Sequence, residues 1–169
     1  MAISTAERLF DLATPLGDDA LLVERFEGHE RLSEPFRFHL TLASEHEDIK
    51  PSALLGQRVT LRIYTEDGER HWTGWVSSFE RAGEPRQNDG DNHSTRYVCD
   101  VVPWFWFLQL HEDSRIFQNL SIPRIVEALF KEFSFSDYEL PLTEDYPGLV
   151  YCPQFRAATF NFISRRLER

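Results

Sequence analysis

The chain has 169 residues, of which 41% are hydrophobic, enough for one sizeable core or two small ones. Its 28 Asp and Glu outnumber 18 Lys and Arg, and the formal net charge of -10 opposes nonspecific binding to nucleic acid or anionic lipid. No apolar run approaches the roughly 20 residues that span a bilayer, and the N-terminus lacks the apolar core of a signal peptide. The sequence therefore predicts no nucleic-acid partner, no stable membrane insertion and residence in the cytosol.

The first hundred residues alternate apolar and polar side chains in the manner of β-strands. After Pro35, which opens its strand from a position compatible with a sheet edge, Phe and Leu alternate with polar residues as far as Leu42. Lys50–Gly56 predicts a single helical turn that ends at the glycine. Residues 66–68 predict a hairpin turn. The predicted strands cover residues 6–14, 20–27, 36–42, 58–65, 69–81 and 95–102.

Two tryptophans and a polar loop follow the predicted hairpin turn. Trp72 and Trp75 are spaced to point to opposite faces of a regular strand, and Gly74 between them is typical of a bulge or a sharp bend. Gly83–Ser94 is the longest polar stretch and predicts a flexible loop. Antiparallel strands joined by such turns and loops predict a small β-barrel or rolled sheet over residues 1–102.

After Pro103 the pattern changes to a short helix, a strand, a helix, a connecting loop, a strand and a final helix. Ser121 is a suitable N-cap for the first long helix, and Pro123 is tolerated in its first turn. The spacing of i, i+3, i+4 and i+7 predicts a core-facing apolar stripe on this helix. The stripe consists of Ile122, Ile125, Val126, Leu129, Phe130 and Phe133.

The final helix carries Phe160, Ile163 and Leu167 on one face, with Thr159 as a candidate N-cap. No capping signal ends this helix, and we expect a longer protein to continue beyond it. The predicted fold class is α+β, mainly an antiparallel β-barrel or rolled sheet over 1–102, followed by a partial α/β segment over 103–169.

The sequence carries no recognisable catalytic or metal-binding pattern. The six histidines are scattered without the spacing of zinc ligands, and Asp89–Asn92 lacks the rest of a calcium-binding loop. Neither a G-x-S-x-G elbow nor a phosphate-binding loop is present. Cys99 and Cys152 are far apart, and Cys99 lies in a strand pattern typical of a buried, unreactive thiol. We therefore predict no enzyme activity, no cofactor and no metal.

Two groups of residues are candidates for contacts between domains or subunits. Trp104, Phe105, Trp106 and Phe107 are consecutive, so a short helix cannot turn all four towards one core. Packing between the two parts of the chain is the favoured interpretation, and a subunit interface is the alternative. Arg165 and Arg166 lie near the end of the final helix, where they complement its dipole and could form salt bridges to a neighbouring subunit.

Two segments resemble the VgrG family, whose members form the spike of type VI secretion systems. PWFWFLQLHEDSRIFQNLSIPRIVEALF, from Pro103, is similar to the segment that follows the first barrel in that family. YCPQFRAATFNFISRRLER, from Tyr151, is similar to a tyrosine-x-x-glutamine-tyrosine segment followed by a helix that ends in arginine-leucine-leucine-glutamate. Phe155 stands for the second tyrosine here, and Ala157 and Ala158 replace the usual polar residues before the helix.

The resemblance implies a structural part of a secretion machine. Residues 1–102 would be the first hub β-barrel, and 103–169 the truncated start of the second hub domain. The family resemblance further implies a homotrimer in the full-length protein, stacking on the Hcp tube protein, and binding of a spike-tip protein and effectors through other parts. The protein would be cytoplasmic before firing and secreted without a signal peptide.

Two alternatives remain open from the sequence. The chain could belong to the baseplate hub of a contractile phage or a phage-derived particle. It could also be a ligand-binding or hydrolytic β domain that uses Trp72, Trp75 and the loop Gly83–Ser94. A pocket with convergent polar groups would favour the second alternative, and a flat surface would count against it.

Overall fold

The computed structural model describes residues 9–83, 86–87 and 93–168. The chain divides into two compact units, of which the first ends at Pro103 and the second begins at Trp104. In the first unit the strands are β1 (Phe10–Ala13), β2 (Leu22–Arg31), β3 (Glu34–Ser44), β4 (Arg58–Thr65), β5 (Gly68–Arg81), β6 (Arg86–Gln87) and β7 (His93–Val102). A short 3-10 turn, Pro51–Ala53, precedes Gly56, which has a positive φ of 71°.

The strands of the first unit form one antiparallel sheet among the described residues. Its order is β1-β4-β5-β7-β3-β2, and β6 pairs with β7. The sheet curls into a half-barrel. The rings of Phe10 on β1 and Phe26 on β2, the two edge strands of this order, lie 6.2 Å apart. This confirms the predicted antiparallel rolled sheet.

The core of the first unit lies on the inner face of this sheet. Phe38, Leu40 and Leu42 of β3 are each at most 1% exposed, so the predicted alternation of that strand is confirmed. Burial of such side chains supplies most of the free energy that favours folding, at about 1.5–3 kcal/mol for each. Their main partners on the other strands are Leu12, Val59, Leu61, Val76, Phe79, Tyr97, Cys99 and Val101.

Tyr97 is the polar anchor within this core. It is 1% exposed, and its ring stacks on Phe79 at 5.1 Å. Its hydroxyl donates to the carbonyl of His46 at 2.9 Å and accepts from the amide of Ile49 at 3.1 Å. One buried hydroxyl therefore holds the segment that follows β3 against the sheet.

Replacing Tyr97 with phenylalanine is expected to lower the free energy of unfolding by about 1–2 kcal/mol, because it leaves two backbone groups without a partner. Chemical denaturation measures this loss, and hydrogen exchange at the amide of Ile49 should become faster. Tyr64→Phe is the control, since the Tyr64 side chain is 38% exposed and its hydroxyl makes no hydrogen bond among the described residues. Equal effects of the two substitutions would contradict this role of Tyr97.

The bulge predicted at Gly74 needs correction, whereas the position predicted for Pro35 is confirmed. The irregularity in β5 lies between Val76 and Ser78, not at Gly74. Gly74 is needed for another reason, because an added Cβ would lie 2.8 Å from the backbone oxygen of Val102. Strand β3 pairs with β2 along its length and with β7 only from Phe38 onwards. Pro35 precedes Phe38 and therefore lies outside the pairing with β7. Its missing N–H is therefore tolerated.

The predicted polar loop is also shorter than expected. Arg86–Gln87 forms β6 and pairs with His93 and Ser94, so part of Gly83–Ser94 is strand. The remainder of that loop, including the Asp89–Asn92 segment, lies largely outside the described residues. The start of the first predicted strand, residues 6–8, also lies outside them.

The second unit has the predicted order of elements. A 3-10 segment, Trp104–Leu110, leads into β8 (Glu112–Phe117), α1 (Ile122–Glu132), β9 (Cys152–Ala158) and α2 (Thr159–Leu167). Strands β8 and β9 form a two-stranded antiparallel sheet. In the part of the chain that the structure describes, no helix has the length and apolarity needed to cross a membrane.

The core of the second unit confirms the stripe of α1 and corrects that of α2. In α1, four residues of the stripe are buried, and Ile122 and Phe133 pack against them. In α2, Phe162 and Ile163 are buried whereas Leu167 is 57% exposed, so the predicted face was partly wrong. The buried residues of α2 are Thr159, Phe162 and Ile163. The buried face therefore begins one residue before Phe160, where the predicted stripe began.

The predicted helix caps were right in position only for α1. Ser121 occupies the N-cap of α1, but its hydroxyl makes no capping hydrogen bond. Ala158 is the N-cap of α2, and Thr159 is its first helical residue. The Thr159 hydroxyl is instead 2.9 Å from Nδ1 of His111, so this buried residue contacts another part of the unit and does not cap the helix.

Candidate contact site in the second unit

The first two residues of the aromatic segment enter the core of the second unit. The Trp104 ring lies 4.8 Å from that of Phe130 and 4.2 Å from that of Phe135. Its indole N–H donates to the carbonyl of Asp137 at 3.2 Å. Phe105 packs on Phe160 of α2 at 4.9 Å. These contacts give Trp104 and Phe105 a structural role within the unit.

The next two aromatic residues behave differently. Trp106 and Phe107 are half-buried and form a T-shaped pair at 5.4 Å. In the described part of the chain, neither belongs to the core cluster of either unit. The expectation that the four aromatics cannot all face one core therefore agrees with the structure. Their contacts with another domain or subunit remain a prediction.

Arg165 and Arg166 lie in the last turns of α2. The Nε of Arg165 donates to the carbonyl of Asn161 at 3.1 Å, and the Arg166 guanidinium lies 5.5 Å from the centre of the Phe162 ring. Neither arginine has an ion-pair partner among the described residues. They line a cleft of about 320 Å³ next to Phe155, which is 73% exposed. The two predicted arginines are thus close together, with no carboxylate partner among the described residues.

An ion-pair cluster fixes α1 to β8. Arg115 of β8 forms hydrogen bonds with both carboxylate oxygens of Glu132, at 2.5 and 3.1 Å, and also pairs with Asp113. The hydrogen bond from Arg115 lowers the pKa of Glu132 below its usual range. The pKa of Asp113 is lowered first by a hydrogen bond from the Ser114 amide and then by the charge of Arg115.

This cluster predicts a contribution to stability that disappears in acid. Because the folded-state pKa of Glu132 is below its ordinary value of 4.5, the stabilisation is present above that value and is lost as the pH falls through the lowered pKa. Glu132→Gln should reduce the dependence of unfolding free energy on pH between about 5 and 3. Glu127→Gln, which breaks the more exposed pair with Arg124, is the matched control. An unchanged pH profile in Glu132→Gln would contradict the prediction.

Gln154, which belongs to the second quoted motif, is 2% exposed and joins β9 to α2. Its Nε2 donates to the carbonyl of Ala157 at 2.9 Å and to the hydroxyl of Thr159 at 3.2 Å. The amide of Thr159 in turn donates to the carbonyl of His111 at 2.8 Å. The glutamine therefore satisfies buried groups at the junction of strand and helix, where no helix-capping side chain is present.

The described residues offer little for catalysis. No group of three or more His, Cys, Asp or Glu among them is arranged to hold a metal ion. Burial raises the pKa of the Cys99 thiol to about 12, so the thiol stays protonated and is a poor nucleophile. Trp72, proposed for a ligand site, packs on Phe26 and Phe38 in the core instead.

Comparison with known proteins identifies the family. Residues 29–169 match the sequence profile of the phage tail baseplate hub (GPD) family, which is most of the chain. The chain belongs to this hub family. The resemblance to VgrG proteins predicted from the two motifs is confirmed by the relatives described next.

The relatives of this hub-family chain include spike proteins of Pseudomonas aeruginosa. It is 36% identical over 170 residues to the type VI secretion system spike protein VgrG1b, covering 100% of the chain and 22% of VgrG1b. It is 36% identical over 162 residues to VgrG1a of the same organism, covering 96% of the chain and 24% of VgrG1a. The actin cross-linking toxin VgrG1 of Vibrio cholerae is 29% identical over 160 residues, which cover 89% of the chain and 14% of the toxin. The hub-family chain thus spans about a quarter or less of the length of these proteins.

A solved structure supports the fold. The E. coli c3393 protein, described as a component of the type VI secretion system with structural similarity to the T4 tail proteins gp27 and gp5, matches with a TM-score of 0.78. The match has 24% sequence identity and covers 92% of the hub-family chain and 42% of the c3393 chain. The half-barrel sheet and the helices of the second unit are therefore the fold of this hub.

Sequence reasoning missed two features of the hub-family chain. The role of Gln154 was not predicted, although its place in the quoted motif was a signal. Leu32, which is 98% exposed, was also missed, because a single leucine between polar residues has no pattern that marks it. Both features depend on the local backbone path, since Gln154 bonds residues three and five positions further along the chain and Leu32 lies in the turn between Arg31 and Glu34.

Proposed function

We propose that this chain is part of the hub of a type VI secretion spike and acts as a structural component of the puncturing device. The observation that carries the proposal is the 36% identity to VgrG1b along the whole chain. Such a hub acts through folded contact surfaces and not through an active site. The buried Cys99 thiol, which stays protonated, is in keeping with this role.

The proposed partners follow from this role. Copies of the full-length protein form a homotrimer that stacks on the Hcp tube protein, whereas a spike-tip protein and effectors bind through other parts. Trp106 and Phe107 contribute to contacts with another subunit, because they are half-buried and outside both cores. Arg165 and Arg166 form salt bridges to carboxylates of a neighbour, since neither is paired within the described chain. The protein resides in the cytoplasm before firing and is secreted without a signal peptide.

A chimera tests the proposal. This chain replaces the matched segment of VgrG1b, and two quantities are measured: the mass of the purified chimera by light scattering, and release of the tube protein from cells that lack their own VgrG proteins. A trimer that restores release is expected. A folded chimera that stays monomeric, or a trimer that restores no release, would refute the hub function proposed here.

The same chimera tests the contact residues. Trp106→Ala with Phe107→Ala should weaken the trimer while the circular dichroism spectrum is retained, because neither side chain fills a core of the unit. Trp104→Ala is the contrasting variant and should destabilise the fold itself by about 3 kcal/mol. If the double variant remains a full trimer at all concentrations, the subunit role of Trp106 and Phe107 is wrong.

A phage or phage-derived particle is the second candidate, because the matched family is described as a phage tail baseplate hub. A phage hub would stack on a phage tail tube protein and not on Hcp. Binding of the trimeric chimera to purified Hcp hexamers would therefore favour the secretion system. Binding to a phage tail tube protein alone would favour the phage particle.

A further inference from the structure

The tip of the β2–β3 hairpin presents an isolated apolar side chain to solvent. Leu32 lies in the two-residue turn between Arg31 and Glu34, which pair with each other across the hairpin. It is 98% exposed, more than any other large hydrophobic residue among those described. Ser33 next to it has a φ of 65°, a left-handed conformation that side-chain residues adopt infrequently. The tight turn therefore holds Leu32 outward as a knob.

The second unit contains an apolar groove that nothing in the described chain fills. It has a volume of about 560 Å³ and lies between the start of α1, the segment after α1 and the end of α2. Three of its lining residues, Leu142, Tyr146 and Leu167, are each at least 45% exposed. Apolar surface of this kind favours the insertion of an apolar side chain. Its apolar walls include Ile122, Val126, Leu140, Leu142, Tyr146 and Leu167.

The charges around the knob and the groove are complementary. Glu144 and Arg166 line the groove, and neither has an ion-pair partner among the described residues. The hairpin tip carries Arg31 and Glu34, which lie 4.0 Å apart with side chains more than half exposed. Arg31 can therefore meet Glu144 while Glu34 meets Arg166. Such complementarity selects the register and the partner of an apolar contact.

We propose that Leu32 of one copy inserts into this groove of a second copy of the same chain. A second copy is the occupant because it carries both the exposed knob and the matching charges, and because Leu32 is uncovered within its own chain. Knob and groove are different surfaces of the chain, so the contact can form head-to-tail, and such contacts close into a ring when the rotation between copies allows it. The proposal deepens the hub function proposed above, on which it rests, since a trimeric hub needs contacts between copies.

Cysteine cross-linking between two different chains tests the contact. A tagged Leu32→Cys protein is mixed with an untagged Leu142→Cys protein under mild oxidation, and the covalent product is quantified. The native cysteines, Cys99 and Cys152, are both buried and do not compete. Leu55→Cys in place of Leu32→Cys is the control, because Leu55 is also an exposed leucine of the first unit.

The expected result is about tenfold more heterodimer from the Leu32→Cys mixture than from the control mixture, because a cysteine, which is also a small apolar side chain, enters the groove in place of the leucine and lies within disulfide distance of position 142. Adding Arg166→Glu to the Leu142→Cys chain should lower the yield, because Glu34 then meets a like charge. Equal yields from the two mixtures would overturn the proposal. A yield that is high but insensitive to Arg166→Glu would overturn the assigned register.

The chimera separates this contact from the hub function itself. If the VgrG1b chimera is trimeric but its Leu32→Cys and Leu142→Cys forms do not cross-link, the contact is wrong and the hub function stands. If the isolated chains cross-link but the folded chimera remains monomeric, the contact exists and the hub function is wrong.

Discussion

Replacing Gly74 with alanine is expected to lower the free energy of unfolding of the first unit by about 2–3 kcal/mol. An added Cβ would lie 2.6 Å from Cγ1 of Val101, 2.8 Å from the backbone oxygen of Val102 and 3.3 Å from the ring of Phe36. The Val102 oxygen belongs to the backbone of β7 and cannot rotate away. The strands must therefore separate locally, which disturbs the pairing of β5 with β7.

Peptide-resolved hydrogen exchange shows which strands lose stability in Gly74→Ala. Peptides from β5 and β7 should exchange faster in Gly74→Ala, whereas those from α1 and α2 should be unchanged. Gly28→Ala is the control, because its added Cβ would meet only the rings of Phe26 and Phe38, and side chains can shift. A loss in Gly74→Ala no larger than that in Gly28→Ala would show that β7 adjusts more readily than its geometry indicates.

Gln154→Glu is expected to destabilise the second unit by about 3 kcal/mol, although the side chain keeps its size. The substitution removes the N–H groups that serve the Ala157 carbonyl and the Thr159 hydroxyl. It places a carboxyl group beside a carbonyl oxygen at a site that is 2% exposed, where the charged form is poorly solvated. The loss should therefore be larger at pH 7 than at about pH 4, where a buried carboxyl is neutral.

Chemical denaturation at the two pH values measures both the size and the pH dependence of this loss. Gln109→Glu is the matched control, since Gln109 is an exposed residue of the same unit and its change should stay within about 0.5 kcal/mol. If both variants unfold alike, the hydrogen bonds of Gln154 contribute little. Loss of stability without dependence on pH would assign the effect to the lost hydrogen bonds and not to a buried charge.

The sequence by itself determined the elements whose side chains repeat with a regular period. The alternation through Phe38 and Leu42 fixed β3, and the stripe from Ile122 to Phe133 fixed α1, because period 2 and period 3.6 each expose one face to a core. The two quoted motifs also led to the correct family. These are properties of residues close together along the chain, so no knowledge of distant neighbours was needed.

The tertiary structure alone decided which residues meet across the fold. Gly74 suggested a bulge from its local sequence, but its reason is the oxygen of Val102 on a strand more than twenty residues away. Thr159 suggested a helix cap, but its hydroxyl contacts His111, which is 48 residues away in the sequence. The separation of Trp104 from Trp106 likewise depends on packing partners. Contacts between distant residues are set by how the sheets and helices pack, which local pattern does not encode.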